Sequence, residues 1–158
     1  MPSYEDFLRN AILQECGSTG KSSLPLSGLR IVLNAGNGSG HFFNKILEDL
    51  GADVSNSVHL TPDGTFPASG VPNPEYSAMI DETKRVCEKC EADMGIMFDT
   101  DADRCGFIVP RTVGTTLRYE ALNRNRLIAL LGVLFQTASP GCTFVTDRYD
   151  FYTLFFYS

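Results

Sequence analysis

"LRIVLNAGNGSGHFFNKILEDLG", Leu29 to Gly51, starts with a short apolar run rich in β-branched residues, turns through glycines, and continues with apolar residues at helical spacing. Leu29–Asn34 reads as a strand, since Ile and Val suit a pleated surface. Phe42, Phe43, Ile46, Leu47 and Leu50 fall on one helical face, and Gly51 supplies a natural stop. Strand, glycine turn and helix in that order begin an α/β unit.

Working outward, a second strand is expected across Ala52–Leu60. In "TPDGTFPASGVPNPEY", Thr61–Tyr76, four prolines (Pro62, Pro67, Pro72, Pro74) break up any regular element and leave a long loop of the kind that often carries function. From Glu75 the pattern is helical, with Tyr76, Met79, Ile80, Thr83, Val86, Cys87 and Cys90 spaced by threes and fours. "ADMGIMFD", Ala92–Asp99, gives a third strand. "GFIVP", Gly106–Pro110, gives a fourth that returns beside it, because the loop between them is too brief for a parallel crossover. The expected fold is a three-layer α/β/α domain with a mixed, mostly parallel sheet, followed by an incomplete second α/β unit.

Four segments follow. Residues 1–16 form a short amphipathic helix, with Tyr4, Phe7, Leu8, Ala11 and Ile12 at helical spacing; 17–28 is a Gly, Ser and Pro-rich linker; 29–111 is the α/β domain; and 112–158 begins another unit. In that last segment "TVGTTL" reads as a hinge, Tyr119–Gln136 as an apolar helix, "TASP" (Thr137–Pro140) as a helix-ending turn, and "CTFVTD" (Cys142–Asp147) as a strand with no sheet to join.

A net charge of −6 and a pI near 4.8 would repel a phosphate backbone, so nucleic acid is excluded as a partner. No stretch approaches the ~20 apolar residues of a membrane span, and the first ten residues carry no signal-peptide apolar block, which points to a cytoplasmic protein. Five cysteines at irregular spacing point to reduced thiols. "CEKC", Cys87–Cys90, has no second pair to complete a zinc site and lies near a helix end, so packing explains it. "GKS", Gly20–Ser22, lacks the glycine five residues earlier that a phosphate-binding loop needs.

The chemistry concentrates in "FDTDADRCG", Phe98–Gly106. In extended backbone, residues i, i+2 and i+4 point the same way, so Asp99, Asp101 and Asp103 converge just beyond the carboxyl end of a strand, where open α/β sheets bind ligands. Three carboxylates at such range raise one another's pKa, and a divalent cation reverses that preference. Magnesium suits three aspartate oxygens with positions left for water or a phosphate oxygen. A calcium loop of the EF-hand type fails, since Arg104 and Pro110 stand where glycine and glutamate belong. A haloacid-dehalogenase-like phosphotransferase with Asp99 as nucleophile is a rival, although Asp103 replaces the usual Thr or Val. Arg104 either screens the acids or contacts phosphate. "GNGSG", Gly36–Gly40, is a tightly packed turn in preference to a phosphate cradle, and His41 and His59 share no motif with a nucleophile.

Taken in order, "GLRIVLNAGNGSG", "PDGTFP" with "VPNPE", and "ADMGIMFDTDADRCGFIV" resemble the second domain of the α-D-phosphohexomutase superfamily, the phosphoglucomutases and phosphomannomutases, over about Gly28–Val109. The segment after Arg111 resembles the start of that family's third domain. The resemblance implies an enzyme that moves a phosphoryl group between the 1- and 6-positions of a hexose phosphate through a phosphoserine and a bisphosphorylated sugar. It assigns Mg2+ to Asp99, Asp101 and Asp103, and phosphate contact to Arg104. Thr100 and Ala102 replace glycines common in the family, and Asn34 stands where an aspartate is frequent. The phosphoserine loop is expected before this domain and is not in these residues, so no catalytic nucleophile is assigned. The chain alone is expected to bind a cation and turn nothing over, with a hexose phosphate and other mutase domains as its partners. A noncatalytic regulator docking on such domains is the reading from a different class.

Overall fold

The computed structural model describes residues 3–17, 23–68 and 70–145. The chain divides into two compact units, Met1–Ala121 and Leu122–Ser158. In the first, α1 (Tyr4–Glu15) starts at a capping box in which Ser3 Oγ accepts from the Asp6 amide at 3.2 Å and Asp6 Oδ2 accepts from the Ser3 amide at 3.0 Å. Then come β1 (Ile31–Asn34), a 3-10 turn (Ser39–Phe42) running into α2 (Phe43–Asp49), α3 (Ser77–Cys90), β2 (Met94–Phe98), β3 (Cys105–Val113) and β4 (Thr116–Leu122). Gly51 ends α2 with φ +97, as its position past the last apolar residue predicts.

The sheet runs β1-β2-β3-β4. Strands β1 and β2 are parallel, in register from Ile31 opposite Met94 to Asn34 opposite Met97, and β2 and β3 are antiparallel. The alternation of β1 splits the core. Ile31 and Leu33 face Leu47, Ala52 and Val54 on the α2 side, and Val32 faces Met79, Cys87 and Tyr119 on the α3 side. Helix on sheet on helix is the expected layering. Helix α1 meets α2 through Arg9 and Asp49 at 2.8 Å, and the 3-10 turn before it through the Tyr4 and Phe42 rings.

The expectation of a mostly parallel sheet is wrong: only β1–β2 is parallel, and the four strands are mostly antiparallel. Two local causes account for it. The segment Ala52–Leu60 lies beside β1 but makes only two isolated parallel bridges, Arg30 with Asp53 and Asn34 with Val58. Between them the Asp53 carboxylate accepts from the Ser55 amide at 3.1 Å and the Ser55 hydroxyl at 2.6 Å, so a turn forms where a ladder would run. At the other edge, "TVGTTL" is a two-residue hairpin turn and not a hinge. Gly114 supplies the positive φ, +63, and β4 folds back on β3.

The hairpin also takes residues that the apolar pattern assigned to a helix. Tyr119 is 6% exposed, and its hydroxyl donates to Ala92 O at 2.8 Å, within the first unit. In the second unit, α4 (Arg124–Ala138) starts at Asn123, whose side chain accepts from the Arg126 amide at 2.9 Å. It ends at the expected Thr137–Pro140 turn. The strand expected at Cys142–Asp147 is irregular backbone over 142–145, and the rest of it, like Gly20–Ser22, lies outside the described residues.

The long loop Thr61–Tyr76 is anchored by prolines. Pro72 and Pro74 are buried, Pro72 against Gly36 and Pro74 against Gly106, at positions where a β-carbon on either glycine would stand 2.4 and 2.8 Å away. "CEKC" is helix packing as expected: Cys87 is fully buried on Gly95 of β2, and Cys90 Sγ lies 3.8 Å from Cys87 O. Among the described residues, no helix is long and apolar enough to cross a membrane.

Candidate metal site

Strand β2 ends at Phe98, and the chain turns through Asp99–Arg104 into β3. Ala102 sits at φ +61, which tightens the loop so that one ligand atom from each of Asp99, Asp101 and Asp103 lies within 4.8 Å of the others. The structure thus brings the three sequence-predicted acids together. Strict strand-like alternation is not what does it; a left-handed turn is.

The acids differ in setting. Asp101 and Asp103 are exposed, while Asp99 is fully buried. Burial opposes charge on Asp99, but the Arg104 amide, Asp103 and the Arg104 guanidinium outweigh it and hold its pKa below the usual range. Asp103 is pushed the other way, first by its hydrogen bond with Asp99 and then by the charges of Asp101 and Asp99. Among these side chains, then, one carboxylate is favoured as charged partly at the cost of its neighbour. A divalent cation would remove that conflict.

Arg104 organises the buried ligand. Its amide donates to Asp99 Oδ1 at 3.0 Å, and its Nε and Nη2 both reach Asp99 Oδ2, at 2.9 and 2.8 Å. The residues fit a hard cation: three carboxylates converge, with exposed Asp101 and Asp103 beside the buried Asp99. The Arg104 side chain is 61% exposed, and its Nε also lies 3.5 Å from Asp103 Oδ1.

The glycine turn lies against this loop. Its amides are already spent: Gly36 donates to Asn34 Oδ1 (3.0 Å), Asn37 to His59 O (2.9 Å), Gly38 to Ala35 O (2.8 Å) and Ser39 to Thr100 O (2.9 Å). A phosphate would find those four donors occupied, and packing is the role the turn performs. His59 Nε2 contacts Glu82 Oε1 at 2.8 Å and His41 Nδ1 lies 3.3 Å from Gly38 O, neither near a nucleophile. Asn34, named from the sequence only as a departure from the family pattern and given no role, is fully buried beneath the turn and bonded to Thr83 Oγ1 at 3.0 Å. Its signal was a polar residue closing an otherwise apolar strand.

Fold and loop together define an α/β/α domain that presents an acidic, cation-type loop where its parallel strand pair ends. A model of the family described as phosphoglucomutase/phosphomannomutase, alpha/beta/alpha domain II, matches residues 4–114. A phosphomannomutase of Salmonella typhimurium is 37% identical over 127 residues, covering 77% of this chain and 26% of that protein. A phosphoglucosamine mutase of Aeromonas salmonicida is 37% identical over 93 residues, covering 58% of this chain and 20% of that protein. A crystal structure of a phosphoglucomutase/phosphomannomutase family protein from Burkholderia thailandensis matches with a TM-score of 0.58 at 20% identity, covering 91% of this chain and 31% of that one, and speaks for the fold. The chain belongs to the phosphoglucomutase/phosphomannomutase family, with residues 4–114 as its α/β/α domain II.

Proposed function

We propose that this chain is the cation-holding part of a phosphohexomutase that interconverts hexose 1-phosphate and hexose 6-phosphate. The observation that carries the reading is the convergence of Asp99, Asp101 and Asp103, one ligand atom each within 4.8 Å, in a chain of this family. Asp99, Asp101 and Asp103 would hold Mg2+, and the exposed end of Arg104 would contact phosphate while its Nε and Nη2 steady Asp99. A bound divalent cation offsets charge on a transferring phosphoryl group. The chain's own residues supply orientation: Arg104 fixes Asp99, and burial keeps water off that carboxylate.

Under this reading the residues after the second domain begin the third, the partners are a hexose phosphate and the remaining mutase domains, and the 158-residue chain by itself does not complete the reaction. Positioning donor and acceptor accounts for most of the catalysis of phosphoryl transfer, and a metal loop alone positions neither. The chain spans 26% of the length of the Salmonella typhimurium phosphomannomutase. The test is a Mn2+ titration followed by electron paramagnetic resonance, with a coupled assay of glucose 1-phosphate to glucose 6-phosphate conversion alongside. Saturable binding that Asp101→Asn weakens, without turnover, is expected. Absence of binding would overturn the metal assignment, and turnover by the purified chain would overturn the claim of inactivity.

A further inference from the structure

Three observations place the glycine turn in the metal site's construction. Ser39 N–H donates to Thr100 O at 2.9 Å, and Thr100 is the residue between Asp99 and Asp101. A β-carbon on Gly38 would stand 2.8 Å from Thr100 O, 3.1 Å from Asp99 O and 3.2 Å from Ala35 O. One on Gly40 would stand 2.6 Å from the ring of Phe98, the residue before Asp99.

Gly38 has φ −90 and ψ −168, a conformation open to any residue, so it is space and not dihedral freedom that demands glycine there. The three atoms it faces are backbone oxygens, which cannot swing aside as a side chain would. Within the metal loop the backbone bonds are long, 3.3 Å both from the Asp99 amide to Arg104 O and from the Ala102 amide to Asp99 O. The contact from Ser39 is the shorter bond and the one that comes from outside the loop.

We infer that Gly38 and Ser39 are positioning residues for the cation site: the turn braces Thr100 and thereby sets where Asp99 and Asp101 present their oxygens. The inference rests on the proposed cation binding by Asp99, Asp101 and Asp103. Metal ligands tolerate displacements of only about 0.2 Å, so a brace one residue from two ligands bears directly on affinity. Gly36 provides the contrast. It sits in the same turn, with φ +55, but the atoms a β-carbon there would meet first belong to Pro72 and Met79.

The test compares Mn2+ affinity, by electron paramagnetic resonance titration, and thermal midpoint in the wild type, Ser39→Pro, Gly38→Ala and Gly36→Ala. Ser39 is the first residue of its 3-10 turn and Gly38 before it is extended, so proline fits the backbone path there. It removes the donor and puts a ring methylene against Thr100 O. Ser39→Pro and Gly38→Ala are expected to weaken Mn2+ binding about tenfold or more, the effect of losing a partner just outside a metal's ligands. Gly36→Ala is expected to lower the thermal midpoint and leave affinity unchanged. Wild-type affinity in folded Ser39→Pro, or equal weakening by Gly36→Ala, would overturn the brace while leaving the cation site standing. A wild type that binds no Mn2+ would overturn the cation site itself, and the brace with it.

Discussion

Asn34 Nδ2 lies 3.0 Å from Thr83 Oγ1, and the direction of that hydrogen bond is set by a third residue. Thr83 has one hydroxyl proton, which it donates to Met79 O at 2.7 Å, so it accepts from position 34. Glu82 Oε2 stands 3.5 Å from the same Nδ2. An amide satisfies both neighbours; a carboxylate would need the hydroxyl to turn around and would still face Glu82. Asn34→Asp is therefore expected to cost about 2 kcal/mol, the penalty of a buried polar group left against an unfavourable partner. Urea unfolding checks it. Adding Glu82→Gln should recover the part of the loss that comes from the like charge, and no recovery would show that the Thr83 hydroxyl accounts for all of it.

The loop acids should separate stability from binding. Asp99→Asn leaves three Arg104 donors facing an amide, and is expected to destabilise the metal-free chain by about 2 kcal/mol, the range for hydrogen bonds to a charged group. Asp101→Asn removes an exposed charge that works against Asp103, and should leave the metal-free unfolding midpoint unchanged or slightly raised while weakening Mn2+ binding. Denaturation without metal and titration with it, on both variants, distinguish the two roles. Equal loss of stability would contradict the division between a buried anchor and an exposed ligand.

Tyr119 tests whether the β3–β4 hairpin belongs to the first unit. Its hydroxyl is tied to Ala92 O at 2.8 Å, at the turn between α3 and β2. Tyr119→Phe keeps the ring in the core and deletes that bond, so unfolding free energy should fall by about 1 kcal/mol. A change near zero would mean that the hydroxyl finds water just as well.

Cys87 predicts a loss of stability at high pH. Burial first, and Cys90 second, push its thiol up to about 12, whereas an unfolded cysteine ionises near 8.5. Below about pH 8.5 both states hold the proton and nothing is lost. Between there and pH 12 the unfolded chain releases it and the folded chain does not, so stability falls as pH rises. The urea midpoint of the wild type should drop more steeply from pH 9 to 11 than that of Cys87→Ala. In the native state at pH 8 the thiol should also resist alkylation that it accepts once unfolded.

The legible parts of this molecule were those written in local chemistry. The β1 run, the helical face of Phe43, Ile46, Leu47 and Leu50, the stop at Gly51 and the cysteine packing all follow from short-range spacing, and the structure keeps them. The acidic trio was legible for the same reason: three ligands within five residues need only a short loop to meet. The edges of the sheet were not. Whether Ala52–Leu60 forms a strand depends on Asp53 capping Ser55, and whether Tyr119 joins a helix or a strand depends on a carbonyl of Ala92, 27 residues away in sequence.

By itself the sequence determined which groups could meet a cation and which periodicities could form elements, since both arise within a turn or two of chain. Only the tertiary structure decided that Arg104 occupies Asp99, that the amides of Gly36–Ser39 are already spent, and that Gly38 must be small because Thr100 passes beside it. Each of these is a contact between segments far apart in the chain or a hydrogen bond with a fixed direction. A residue's spacing says nothing about either until folding brings its partner within about 3 Å.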